Sequence, residues 1–275
     1  MTYSTQLFHT DGTPCTPLRD LLEYTGIEHD GTITSIRDQT QIWYQKGKFP
    51  YEIRDPDKSP LWRAELLPRL SELGLSQEIH AQIPNYRYCL LLGATVKAVR
   101  RRLAFLSIEW NGQPSVRFPF LFLLGNERPI SPDEYKEFLR YDNKELRFDR
   151  QKIRTDHSPR KEWEMMLTVY AQGAAFPWDA SRGTSTFFVP TQGERANTAD
   201  TIAAWLRQKN PEPDSCLVVS SQPHVGYQEW VVRNALPEGF TVEAIGPAAG
   251  ESTPVAGYLN ALTKWIFEEA KARCV

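Results

Sequence analysis

The sequence has 275 residues, enough for one large domain or for a core with an appendage. Its 41% hydrophobic and 24% charged residues exclude a disordered chain, and a formal net charge of -2 supplies no global basic field for nucleic acid. The longest apolar runs, such as 118–124, are too short to span a bilayer, and residues 1–13 lack the apolar stretch of a signal peptide.

Residues 1–84 show no regular repeat. Short β-type runs, 32–36 and 41–44, lie between the turn signals Asp30-Gly31 and Lys46-Gly47. Ser59-Pro60 starts a helix, with serine as cap and proline at its first position. Leu66, Leu67, Leu70 and Leu73 carry it to a stop at Gly74. The region reads as an N-terminal extension packed on a core that occupies residues 85–275.

From residue 86 the pattern becomes regular. Five apolar runs read as strands: 86–92, ended by Gly93; 118–124, ended by Gly125; 184–189; 216–219; and 240–245. Helical spacing fills the gaps at 96–110, 159–171, 198–208 and 225–236, and a last helix follows Thr253-Pro254. Continuous apolar strands alternating with helices predict an α/β fold, a Rossmann-like, doubly wound, mostly parallel sheet of about five strands. Residues 129–156 form an insertion after the second strand, opened by the capping box Ser131-Pro132-Asp133-Glu134.

The four cysteines form no C-x-x-C pair, and none stands at zinc-ligand spacing from a histidine, so no metal signature is present. Cys89 and Cys216 fall inside apolar strands, a usage that suits a reducing compartment and predicts a cytoplasmic protein. No G-x-G-x-x-G, P-loop or G-x-S-x-G elbow occurs.

In an open parallel sheet, ligands bind at the carboxyl ends of the strands, where helix N-termini favour anions. The residues there are the candidates. Gly93 allows close backbone approach. Arg100, one turn into the next helix, is positioned to reach back to an anion, whereas three adjacent arginines, Arg100 to Arg102, point around the helix rather than to one face. Gly125 and Asn126 follow the second strand. Glu162 and Glu164 open a helix on different faces. Glu194 precedes Asn197 and Thr198, with Asn197 also a good N-cap. Ser220, Ser221 and His224 follow the most apolar strand, and His224 suits general acid–base work.

The order of these features resembles that of the YdcF/SanA-like family of bacterial proteins. The matching positions are Leu92-Gly93, Arg100 with Ala104, Leu124-Gly125, Glu162 or Glu164, Glu194 with Asn197-Thr198, and Ser220-Ser221 with His224. They cover residues 86–246. The chain departs from the family in a short stretch at 94–99, in Gly-Asn after the second strand, in Asp200-Thr201 after the Asn-Thr pair, and in Val225-Gly226-Tyr227 where an arginine follows the histidine. The resemblance implies a divergent member with a polar pocket and S-adenosylmethionine or a nucleotide as the candidate cofactor.

Three functions follow as expectations. The first is an enzyme that hydrolyses, or transfers from, a phosphorylated or nucleotide-like small molecule. It would use Glu194 and His224 as catalytic groups and Gly93, Arg100, Gly125, Asn126, Glu162, Asn197, Thr198, Ser220 and Ser221 as ligand contacts. The second is a non-catalytic regulatory protein that binds S-adenosylmethionine or a nucleotide. The third is an interaction protein working through the N-terminal region with its Trp43 and Trp62.

Overall fold

The computed structural model describes residues 6–48, 52–55, 60–113, 115–139, 159–173, 176–180 and 183–273. Five strands, β1 (Tyr88–Leu92), β2 (Phe120–Asn126), β3 (Ser185–Thr191), β4 (Ser215–Val219) and β5 (Thr241–Ile245), form one sheet in the order β3-β2-β1-β4-β5. Every pairing is parallel. The protein is therefore an α/β fold of the Rossmann-like, doubly wound kind, as the strand–helix alternation predicts.

The ten helices among the described residues are α1 (Thr16–Thr25), α2 (Ile33–Gln39), α3 (Pro60–Glu72), α4 (Val96–Asn111), α5 (Pro132–Phe138), α6 (Glu162–Gln172), α7 (Pro177–Ala180), α8 (Thr198–Lys209), α9 (Val225–Ala235) and α10 (Val255–Arg273).

The chain divides into two compact units. The sheet lies in the unit made of residues 80–221 and 235–247. Successive side chains in its strands point to opposite faces. Cys89, Leu91, Leu121, Leu123, Leu217 and Val219 pack with Val96, Val99, Leu103 and Leu106 of α4 and Met165, Met166 and Val169 of α6. On the alternate positions, Tyr88 and Phe122 meet Trp205 of α8 edge-on, at ring distances of 5.3 and 5.6 Å. β1 is buried at all five positions because sheet neighbours flank it on both sides and side chains cover both faces.

The other unit comprises residues 1–79, 222–234 and 248–275. Its core joins Leu18, Leu21 and Leu22 of α1, Ile36 of α2, Leu66 and Leu70 of α3, and Leu259, Leu262, Trp265 and Ile266 of α10. Here the local reading needs correction. The β-type runs 32–36 and 41–44 are helical, as α2 and a 3₁₀ turn at Thr40–Trp43. Thr32 caps α2 by accepting a hydrogen bond from Ser35 N, and Ile33, Ile36 and Thr40 recur with helical spacing. α3 runs through Pro68 and ends before Gly74, whose φ of 74° needs no side chain. The Ser131/Glu134 capping box forms as expected at α5. The remainder of the expected insertion, residues 140–156, lies outside the described residues.

Candidate anion site at the strand ends

In the order β3-β2-β1-β4-β5, the chain winds outward in one direction from β1 and in the other from β4, so the switch point lies between the carboxyl ends of these two strands. Leu92 to Thr95 leave β1 there, and Ser220 and Ser221 leave β4. Thr95 is the N-cap of the sixteen-residue helix α4, yet its side chain makes no capping bond, and the first turn holds no acidic residue. The first N–H groups of α4 thus carry the positive end of the dipole with no side-chain acceptor. Ser220 N donates to Ile245 O at 2.9 Å, which pins the backbone. The Ser220 hydroxyl is fully buried and has no hydrogen-bond partner among the described residues.

Arg102 closes the floor of this place. Its guanidinium donates to Leu92 O at 2.7 Å, Gly93 O at 3.0 Å and Ser221 Oγ at 3.2 Å. Only 4% of the residue is exposed, and Nε has no hydrogen-bond partner among the described residues. Burial pulls its pKa down to about 10, opposed by the charge of Glu162, so it stays a cation at neutral pH.

Beside it stands a buried network. Arg128, in the loop after β2, donates from Nη1 and Nη2 to the two oxygens of Glu134 at 2.7 and 2.9 Å, and from Nε to Glu162 Oε2 at 3.0 Å. Its carbonyl accepts from Glu162 N at 2.9 Å. Burial raises the Glu134 carboxyl, but the bonds and charge of Arg128 outweigh it and leave the group below its usual range. For Glu162 burial wins over Arg128 and the Asn126 amide, and the carboxyl is raised. Glu162 Oε1 occupies the space that a Cβ at residue 93 would take, so glycine at 93 is what lets this carboxyl group reach the end of β1.

The structure sorts the sequence candidates. Gly93, Glu162 and Ser221 belong to this place, and Ser220 follows β4 at its carboxyl end. Of the two acids opening α6, Glu162 turns inward, while Glu164 caps the helix by accepting from Arg160 N and Lys161 N. Arg100 is a correction. Its guanidinium donates to Glu137 O at 2.8 Å and Phe138 O at 2.9 Å, facing the Glu137 carboxylate at 3.6 Å, so it holds the C-terminal end of α5 rather than a ligand at β1. Gly125 makes room for α6, since a Cβ there would lie 2.7 Å from Trp163 Cα. Asn126 spends its side chain on Ala196 O and Arg128 N, at 2.9 Å each. Asn197 and Asp200 cap α8 reciprocally, and Thr198 is that helix's first residue. Glu194 is exposed on the loop at 192–197 and lies in the field of Lys161. His224 immediately precedes α9, where its carbonyl accepts from Gln228 N, and it belongs to the other compact unit.

Arg102 and Glu134 are the site's additions to the sequence candidates, and Arg128 lies in the polar stretch 124–128 that follows the second strand. The signal for Arg102 is its place on α4 between Val99 and Leu106, on the apolar stripe, whereas Arg101 is only partly buried. Among the described residues no cluster of three or more metal-ligating side chains occurs, and no helix is long and apolar enough to cross a membrane. An open groove of about 560 Å3 lies at the opposite, amino ends of the strands, lined by residues including Arg87, Trp110, Arg117 and Asp214. None of its polar side chains is both buried and unpartnered, unlike Ser220. Compared with protein-family models, curated proteins and solved structures, the chain matches none.

Proposed function

We propose that this protein is a divergent YdcF/SanA-like protein that binds a phosphorylated or nucleotide-like small molecule at the carboxyl ends of β1 and β4. One observation carries the reading. An uncapped helix N-terminus and a buried arginine whose Nε has no hydrogen-bond partner among the described residues meet at the switch point of a parallel sheet. Burying an unpartnered N–H donor is costly, and an anionic oxygen supplies the acceptor it lacks. Backbone N–H groups of the first turn of α4 would hold the same anion. The Arg102 guanidinium adds positive charge in a place of low polarity, where it counts for more than in water.

Hydrolysis of that ligand, or transfer from it, is the chemical part of the proposal. A second reading, a non-catalytic protein for S-adenosylmethionine or a nucleotide, is favoured by the exposure of Glu194, the acid first expected to act. A cytoplasmic setting belongs to both readings and is supported by the buried free thiols of Cys89 and Cys216.

The test is a thermal-shift screen of the full chain against nucleotides, sugar phosphates, inorganic phosphate and S-adenosylmethionine, repeated with Arg102→Met. A ligand at about a hundred times its Kd adds roughly 2.7 kcal/mol of stability. Protection by a phosphorylated compound that is lost in Arg102→Met supports the site. Protection that survives the substitution undiminished refutes it.

A further inference from the structure

Gly93 lies between two groups of opposite charge. Arg102 grips the carbonyls of Leu92 and Gly93, and Glu162 Oε1 fills the side-chain position that Gly93 leaves empty. The two oxygens of Glu162 are unequally held. Oε2 accepts from Arg128 Nε at 3.0 Å, whereas among the described residues Oε1 has only the Asn126 amide at 3.4 Å. The residue is 5% exposed.

Arg128 faces Glu162 from the loop after β2, and Arg102 acts on it from α4. Glu134 of α5 competes for Arg128, taking both Nη groups. Glu127, just after β2, is paired with Lys161 at 2.7 Å. On α6 itself Glu164 is committed to its cap, and β3 carries no charged side chain. Arg102, Arg128, Glu134 and Glu162 therefore form a buried set whose formal charges cancel.

An oxyanion arriving at the N-terminus of α4 makes that set negative. Arg102 and Arg128 are already cations and have nothing more to give. A proton from solvent is the remaining compensation, and the two carboxyl groups are not equal recipients. Glu134 is clamped by two hydrogen bonds from Arg128. Glu162 has an oxygen with one long contact, and that oxygen stands against Gly93, two residues before the N-cap of α4. Resting on the anion site proposed above, we infer that an oxyanion binds here together with one proton, carried on Oε1 of Glu162 and donated as a hydrogen bond to the anion. The only covalent change is the O–H bond formed with a solvent proton. Arg128 is the positioning residue that keeps Oε2 turned away. Such a site prefers oxyanion ligands with an acceptor oxygen free for the proton, a phosphoryl group foremost. The direction in which burial moves the Glu162 carboxyl agrees with this assignment.

Sulfate tests it, because its charge is constant between about pH 5 and 8.5 while carboxyl groups titrate. Its binding to the full-length protein is to be measured by titration calorimetry in pairs of buffers with different ionisation heats. That comparison counts the protons taken up, and it needs no variant. Within this range uptake should rise to nearly one proton per sulfate, and affinity should increase by up to about tenfold per unit fall in pH where uptake is complete. Glu162→Gln should bind sulfate with no uptake and little pH dependence. Sulfate binding by the wild-type protein without proton uptake overturns the inference and leaves the anion site standing, as does uptake that persists in Glu162→Gln. A wild-type protein that binds no sulfate at any pH overturns the anion site and the inference together.

Discussion

Arg100 and Arg102 leave α4 two residues apart and deliver their guanidinium groups to different sets of backbone carbonyls. Arg100 serves Glu137 and Phe138 at the end of α5, and Arg102 serves Leu92 and Gly93 at the end of β1. Two steps along a helix turn a side chain through about 200°, so neighbours in sequence reach opposite flanks. Replacing either by methionine leaves buried carbonyls without donors and should cost about 2–4 kcal/mol. The two variants should differ in one respect. Arg100→Met should retain its stabilisation by sulfate, and Arg102→Met should lose it. Urea denaturation with and without sulfate checks this, and a loss in Arg100→Met would contradict the assignment.

Gly93 and Gly125 both stand where backbone passes close. A Cβ at 93 would lie 2.9 Å from Leu124 O as well as against Glu162, and one at 125 would press on Trp163 Cα at 2.7 Å. Main chain cannot step aside as a side-chain tip can. Gly93→Ala and Gly125→Ala should each destabilise the protein by about 1–3 kcal/mol. Only Gly93→Ala also disturbs the Glu162 carboxyl, so only it should change proton uptake with sulfate. Thermal melts and calorimetry of both variants separate the effects.

Removing Arg128 exposes two buried acids to each other. In the native protein the Glu134 carboxyl is held below its usual value, so its contribution is present above the unfolded value of about 4.3 and is lost as pH falls through the lowered one. In Arg128→Leu both Glu134 and Glu162 lose their cation, and burial raises both. Their stability is then fully present below about pH 4.3 and is lost as pH rises through the raised values. The variant should be about 3–5 kcal/mol less stable than the wild type near pH 8, and the gap should shrink toward pH 5. Urea midpoints at the two pH values decide, and a constant gap would count against the pairing.

In the other compact unit, Glu269 of α10 accepts from the amides of Leu7 and Phe8 at 3.0 and 3.2 Å and pairs with Arg273 at 2.8 Å. Glu269→Ala strands two buried amides and should cost about 2–4 kcal/mol. It should also speed hydrogen exchange at Leu7 and Phe8 well before exchange in β1 is affected, as read by amide exchange resolved to single residues.

Much of the sheet was legible in the sequence, since β1 and β4 are apolar at nearly every position and β2 runs apolar up to Gly125. The α1–α2 region was not. Leu18, Leu21 and Leu22 do have helical spacing before Gly26, but the element is only ten residues long, and Ile33 and Ile36 fit a short strand as readily as a helix turn. At the site, position relative to the strand ends picked out Gly93, Glu162 and Ser221. It also picked out Asn126 and Asn197, whose side chains the fold consumes for itself. Polarity after a strand does not distinguish a group waiting for a ligand from one tying down a loop. That difference lies in hydrogen-bond partners distant in sequence, such as Ser221 for Arg102 across 119 positions.

Residues 1–79 share a compact unit with 222–234 and 248–275, so the chain passes between its two units four times. On the ribosome, α1 and α3 emerge long before α10, the helix whose Leu259, Leu262 and Ile266 complete their core. The leucines of α1 and α3 must therefore wait, uncovered, until α10 is made. This order of synthesis makes the N-terminal segment the part most in need of a chaperone, and it means that a cut near residue 85 yields two fragments that must find each other rather than two that fold alone.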